Sequence, residues 1–397
     1  MKKAICSLTV MFMLLAAFGV GFDGVAAATS TVTLNVYNWG EYIDEDVLDM
    51  FEEETGIKIN YTTFDSNETM YAKIVSGAAS YDVIIPSDYM ISKLADEGLL
   101  AELNFDNIPN YSLIDDAYKG LEYDPDELYS VPYMWGTVVI MYNTQYVDEE
   151  DVADQSVDLL WNEKYAGKIL MFDNPRDAFA LAFEKLGYSL NTTETSEWEE
   201  AAELLKEQKS LVQAYVMDQI FDKMESGEAW IAPYYAGDAL IISEENPDVA
   251  YYIPTEGTNY FVDAMCVLES SEHKEEAEMF INFMCRTDIA YLNCDYVGYG
   301  TPQTEVYAML DEELTSNEVF YPSAEFIAEH TEVFINLPTS INILQSSLWT
   351  SLKIDGESSS TSGIDTAAIV IAAILAAIIL WRAGVGLYRR RYYSRKQ

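Results

Sequence analysis

Between Thr31 and Gly98 the chain alternates three times between a strand pattern and a helix pattern, and this rhythm restricts the fold more than any other feature. Thr31-Val32-Thr33-Leu34-Asn35 is β-branched and alternating. Asp44 to Glu54 follows, with Val47, Leu48 and Phe51 at helical spacing and acidic residues in the first turn. Ile57 to Phe64 reads as a second strand, and Ser66-Asn67-Glu68-Thr69 caps a helix that Gly77 closes. Tyr81 to Ile85 reads as a buried third strand ended by Pro86, after which Ser87-Asp88 caps a helix ended by Gly98. Such a succession predicts an α/β fold with a mostly parallel sheet and helices on both faces.

In sheets of this kind ligands bind at the carboxyl ends of the strands. Two of these ends carry similar chemistry: Trp39, Glu41 and Tyr42 after the first strand, Ser87, Asp88 and Tyr89 after the third. A carboxylate beside aromatic faces suits a ligand bearing an ammonium, whose charge pairs with Glu41 while the rings cover its methylenes. Ordinary core packing would account equally well for Trp39 and Tyr42 taken alone.

The net charge of −45 points the same way. Eight of the 22 basic residues lie in the two terminal segments, so the span between them is more negative still. Such a field repels nucleic acid and anionic lipid surfaces and attracts small cations. Solubility alone explains many of these charges. Half of the 397 residues are hydrophobic, enough for two domains with cores of their own.

Both termini read as targeting segments. Lys2-Lys3, the apolar run Ala4 to Val20 and Ala26-Ala27-Ala28 form a signal peptide over residues 1–28. At the other end, residues 356–365 are a polar Ser-rich linker, residues 366–388 an expected transmembrane helix, and residues 389–397 a basic cytoplasmic tail. Together they predict an extracellular domain with a single C-terminal anchor. Cys266, Cys285 and Cys294 have no metal-like spacing and read as free, mostly buried thiols.

A set of colinear motifs then narrows the field. Asn38-Trp39-Gly40-Glu41-Tyr42, Phe51 to Lys58, Ser66 to Lys73, Tyr81 to Ser87, Ser130 to Gly136, Lys185 to Ser189, Ile281-Asn282-Phe283 and Gly298 to Pro302 together resemble the spermidine/putrescine-binding proteins of bacterial ABC polyamine transporters. The resemblance runs from about Thr31 to Asp355 and excludes the C-terminal apolar segment.

It implies a two-lobed periplasmic-binding-protein-like fold of type II with the ligand in the interlobe cleft. Lobe one would take 31–137 and 262–308, lobe two 138–261 and 309–355. The partners it implies are a polyamine, an ABC permease and, indirectly, its ATPase. No cofactor, metal or nucleic acid is expected, and the protein should be a monomer.

The resemblance also nominates ligand-binding residues: Trp39, Glu41, Tyr42, Ser87, Tyr89, Asn174, Asp177, Tyr235, Phe261, Asp263 and Tyr299. Gly40 stands where the family often has Thr, which suggests that a side-chain contact is replaced by backbone. Asn174 stands where the family has a carboxylate, with Asp173 as a partial substitute and helix capping as the plain alternative. Asp88 would add negative charge at the mouth. Phe261 and Asp263 share one face if that segment is extended. Losing one carboxylate leaves the choice between spermidine and putrescine open.

Other classes are weaker. Only His273 and His330 could serve as imidazole catalysts, and no nucleophile elbow, zinc-protease helix or phosphate loop occurs. A hydrolase built on two carboxylates needs no such motif. A binding protein for another organic cation or small solute is the nearer alternative. Calcium-dependent adhesion lacks its loop motif.

Overall fold

The computed structural model describes residues 32–354. The expected rhythm opens the chain: β1 (Thr33–Trp39), α1 (Glu45–Thr55), β2 (Lys58–Phe64), α2 (Asn67–Ser76), β3 (Val83–Ile84) and α3 (Asp88–Asp96). The local chemistry is visible at the helix ends. Asp44 accepts from the Asp46 N–H to cap α1, and Ser66 accepts from Thr69 N–H to cap α2. Gly56 closes α1 at φ 74°, where a side chain would be strained. The apolar stripe Val47, Leu48 and Phe51 is buried.

The chain continues through β4 (Ser130–Asn143), β5 (Ile169–Phe172), α4 (Pro175–Leu186), α5 (Thr195–Lys209), β6 (Val212–Val216), α6 (Ile220–Glu225), β7 (Ile231–Tyr235), α7 (Ala236–Glu245), β8 (Val249–Tyr252) and β9 (Thr258–Val267). Then come α8 (Lys274–Met284), α9 (Thr287–Val297), the short α10 (Thr304–Tyr307), α11 (Glu312–Thr315) and α12 (Ala324–His330), β10 (Thr331–Glu332) and α13 (Thr339–Ile354). The strand order is β2-β1-β3-β9-β4-β7-β5-β6, with β8 on β4 and β10 on β9.

β4 and β9 hold the two lobes together. Residues 130–137 of β4 pair with β9, whereas residues from Val138 onward pair with β7 and β8. β4 is therefore buried along nearly its whole length, as a strand covered on both faces must be. In lobe one, the sheet face bearing Leu34, Val36, Val83 and Ile85 packs with Phe51 and Phe280. The opposite face, with Tyr37 and Ile84, joins the core of lobe two around Phe172, Phe179 and Trp198. α13 packs against α5 and α4. Cys266, Cys285 and Cys294 are free and buried.

One part of the expected fold class is corrected. Among the described residues no helix is long and apolar enough to cross a membrane. The longest, α13, has 16 residues interrupted by Ser, Thr, Asn and Lys353, against about 20 apolar residues needed for a span. The described residues thus form the two-lobed α/β unit, with no membrane helix among them. The segment 366–388, the linker and tail beside it, and the signal segment 1–28 lie outside the described residues.

Candidate functional site

The carboxyl ends of β1 and β3, the return through β9 and the starts of α4 and α7 converge on one cleft. It contains about 670 Å³ of atom-free space, mouth included. Five carboxylates line it: Asp65, Asp177, Asp218, Asp238 and Asp263. No Lys or Arg does. The carboxylates are graded by depth. Asp65 is exposed and Asp218 half-buried, while Asp177, Asp238 and Asp263 are buried.

Each deep carboxylate has an aromatic neighbour. Tyr235 donates its hydroxyl to Asp177 at 2.9 Å, and Tyr299 donates to Asp238 at 2.7 Å. The second contact joins the lobes, because Tyr299 follows α9 and Asp238 lies in α7. Phe261 and Asp263, two apart on β9, both line the cleft, since alternate strand residues share a face. The rings make edge-on contacts: Tyr42 with Tyr299 at 4.8 Å and Tyr235 with Phe261 at 5.4 Å between centroids. Asp263 Oδ1 and the Tyr42 hydroxyl are buried without hydrogen-bond partners. A carboxylate oxygen in this condition is costly unless something donates to it. The Tyr42 hydroxyl, itself a donor, is close enough to lower the pKa of the Asp263 carboxyl without a bond of good geometry.

Burial sets the electrostatics. It raises Asp263 to about 6, with Ser87 and Tyr42 alongside moderating the effect. It raises Asp177 to about 7 and Asp238 to about 8, and the Tyr235 and Tyr299 hydroxyls oppose the rise. Asp218 is raised by burial and by the charges of Asp65 and Glu41. Arg176 is the nearest buried cation. Its guanidinium lies 4.4 Å from the Phe334 ring centroid and donates to Asn191 Oδ1 at 2.8 Å. The cleft is therefore a desolvated site for positive charge, walled by rings.

Comparison with known proteins fits this geometry. Residues 46–321 match the family model described as bacterial extracellular solute-binding protein. The chain belongs to that family. Within it, the relatives are polyamine-binding proteins rather than enzymes. The spermidine/putrescine-binding periplasmic protein of Escherichia coli K12 is 34% identical over 303 residues, covering 76% of this chain and 86% of the relative. The putrescine-binding periplasmic protein SpuD of Pseudomonas aeruginosa UCBPP-PA14 is 30% identical, covering 83% and 94%. The crystal structure of the spermidine/putrescine ABC transporter substrate-binding protein PotD of Streptococcus pneumoniae is 37% identical, with a TM-score of 0.68 and coverage of 82% and 99%. Proteins of this family act in the periplasm or outside the cell.

This solute-binding protein brings ten of the nominated residues to one cavity wall: Trp39, Tyr42, Ser87, Tyr89, Asn174, Asp177, Tyr235, Phe261, Asp263 and Tyr299. Glu41 is not among them. Gly40 and Glu41 form the turn after β1, with Glu41 at φ 46°, and leave Glu41 exposed. Asp88 is fully buried rather than at the mouth, where it accepts from the N–H groups of Tyr89 at 2.6 Å and Val262 at 3.3 Å. Asp173 is exposed and paired with Lys353 at 2.7 Å, so it does not substitute in the cleft. Asn174 caps α4 by accepting from the Arg176 N–H at 3.0 Å. Its oxygen is committed there, and its amide brings no charge.

Asp65, Asp218 and Asp238 were not nominated. Asp65 directly follows β2, and Asp218 follows β6 by two residues; both obey the strand-end rule used for Trp39. Asp238 reads in sequence as an ordinary acidic residue in a helix first turn. Gly40 is explained by Asp218: a Cβ at Gly40 would lie 2.1 Å from Asp218 Oδ2. A side chain from lobe two, not backbone, fills the space that a side chain at position 40 would take. Gly40→Thr should displace Asp218 and weaken cation binding by about 1 kcal/mol, with no further loss when combined with Asp218→Asn in a titration of the double variant.

Proposed function

We propose that this protein captures a polyamine between its lobes and delivers it to an ABC permease driven by an ATPase. One observation supports this above the others: the buried Asp263, with a free oxygen, among Tyr42, Phe261 and Tyr299 in a cleft without basic side chains. An ammonium supplies the donor that Asp263 Oδ1 needs, as a charge-assisted bond. The methylenes of a polyamine would lie against the rings. Asp177 and Asp238, each already holding one tyrosine hydroxyl, are the partners for a further amine. Asp65 and Asp218 would attract cations to the mouth.

Closure of the lobes on the ligand would present the permease with a distinct shape. The test is calorimetric titration with putrescine, spermidine and cadaverine at low salt and at 150 mM salt. A tight, saturable step of one ligand per interlobe cleft that persists in salt is the expected result. Weak, multi-site binding abolished by salt would refute a structured site, since screening removes mere accumulation.

A pH dependence follows. The cleft carboxyls have folded-state values of about 6, 7 and 8, all above the ordinary aspartate value near 4. The folded cleft therefore binds protons more tightly than the unfolded chain. Its stability is fully present below about pH 4 and is lost as pH rises through 6 to 8. A bound diamine supplies the positive charge that protons otherwise supply. The rise in melting temperature caused by putrescine should thus be larger at pH 8 than at pH 5. Thermal scans across this range, with and without putrescine, check it; a shift that shrinks with rising pH would contradict the assignment of these carboxyls.

A further inference from the structure

A second acidic cavity lies where α4, the start of β9 and β10 meet. Its lining includes Glu184, Glu256, Glu329 and Glu332 with His330 beside them, contains no Lys or Arg, and shares no residue with the interlobe cleft. It holds about 660 Å³ of atom-free space, mouth included. Glu184 is the residue that ordinary packing does not explain. It is 7% exposed, and its Oε2 is buried with no hydrogen-bond partner. It interrupts a face of α4 whose neighbours Ala180, Leu181 and Phe183 are core. A carboxylate left in this condition is expensive.

The surrounding acids are held in place. Glu256 accepts from the Ser156 hydroxyl and from the Val157 N–H at 3.2 Å. Glu332 accepts from the Ser189 hydroxyl at 2.6 Å. Burial, then the charges of Glu256, Asp177 and Glu332, push the Glu184 carboxyl well above the usual carboxylate range. Asp177 and Glu184 are two helical turns apart on α4 and share a face. One lines the interlobe cleft and the other lines this cavity.

We propose that this cavity is a second cation site, separate from the interlobe cleft, which takes a primary alkylammonium on Glu184, Glu256 and Glu332. Among the described residues no group of His, Cys, Asp and Glu is arranged to hold a metal ion. An ammonium suits more widely spread acceptors, because its N–H···O contacts are about 2.8 Å long against about 2.0–2.6 Å for bonds from hard metals to oxygen. The location gives the site a mechanical consequence. Glu332 belongs to β10, which pairs with Thr258 and Asn259 at the start of β9. An occupant therefore ties α4 of lobe two to strands that run beside the lobe crossing.

The inference does not depend on what the interlobe cleft binds. Its test is titration of the full-length protein with putrescine at 150 mM NaCl, for the parent and for Asp263→Asn, Glu184→Gln and Glu332→Gln. The parent should show two saturable steps. Glu184→Gln and Glu332→Gln should each weaken the second at least tenfold and leave the first in place, while Asp263→Asn should weaken the first and leave the second. The half-buried Glu332 serves as the variant least able to disturb folding. A single step unchanged by both Glu variants would overturn the site. A second step seen with magnesium or calcium but not with putrescine would overturn the ammonium assignment. If the Glu184-sensitive step persists while no tight step occurs in the parent, the polyamine reading of the interlobe cleft fails and this one stands.

Discussion

Asp263→Ala is expected to cost putrescine binding about 2–5 kcal/mol, the range for breaking a buried interfacial charge pair. Three features put the loss at this site rather than at the other cleft acids. Asp263 is buried, so its interaction with an ammonium is little screened. Its Oδ1 has no internal partner, whereas Asp177 and Asp238 each hold a tyrosine hydroxyl. Its strand is fixed from both sides, with Ala264 N–H donating to Pro86 O at 3.1 Å and β4 paired along the other edge. The carboxylate cannot move away to find water. Asp263→Asn should recover part of the loss by restoring shape and an acceptor without charge. Titration of the three proteins at 150 mM salt decides it; equal affinity for Asp263→Ala and the parent would remove Asp263 from the site. The unbound protein should lose no stability, because a carboxyl raised to about 6 is not a stabilising group at neutral pH.

The architecture was legible because local patterns and global fold agree. The stripe of Val47, Leu48 and Phe51, the glycine that closes α1 and the serine that caps α2 each lie where their chemistry predicts. The strand-end rule placed Trp39, Tyr42, Ser87 and Tyr89 on the wall of one cleft. It failed for Glu41 because a turn follows β1 directly, and turn conformation at Gly40 and Glu41 is not a matter of periodicity. Asp65 and Asp218 follow strands that end in the same way.

Other roles depended on partners distant in sequence. Nothing near Asp173 announces Lys353, and nothing near Gly40 announces Asp218. The buried position of Asp88 follows from its bonds to the backbone of β9 rather than from its place after β3. Asn174 shows both readings of its segment at once, since its side chain caps a helix and lines the cleft. Asn174 therefore brings no negative charge to the cleft, and the nearby Asp173 does not supply one, because it is exposed and paired with Lys353.

Gly237 carries the second large effect, and it tests closure rather than chemistry. The ring of Tyr299 lies directly on Gly237: a Cβ there would sit 2.1 Å from Cδ2 and 2.4 Å from Cε2 of the ring. The obstacle is the body of a ring whose hydroxyl is anchored on Asp238 and whose ring neighbours are Tyr42 and Phe261. It cannot swing aside as a flexible chain end could. Gly237 starts α7 in lobe two, whereas Tyr299 belongs to the segment whose neighbour Gly300 pairs with Trp135 in the lobe-one half of β4. The two meet across the boundary between the lobes. Gly237→Ala should therefore leave each lobe folded and penalise the closed arrangement by about 3 kcal/mol or more, at the upper end for overpacking. Apparent affinity falls with the fraction of molecules able to close, so putrescine binding should weaken by more than a hundredfold. The melting temperature without ligand should stay near that of the parent. Small-angle scattering should show compaction on adding putrescine in the parent and none in the variant at the same concentration. Compaction and affinity both unchanged in Gly237→Ala would mean that Tyr299 does not pass between the lobes on closure, and that the Tyr299 to Asp238 bond is not what latches them.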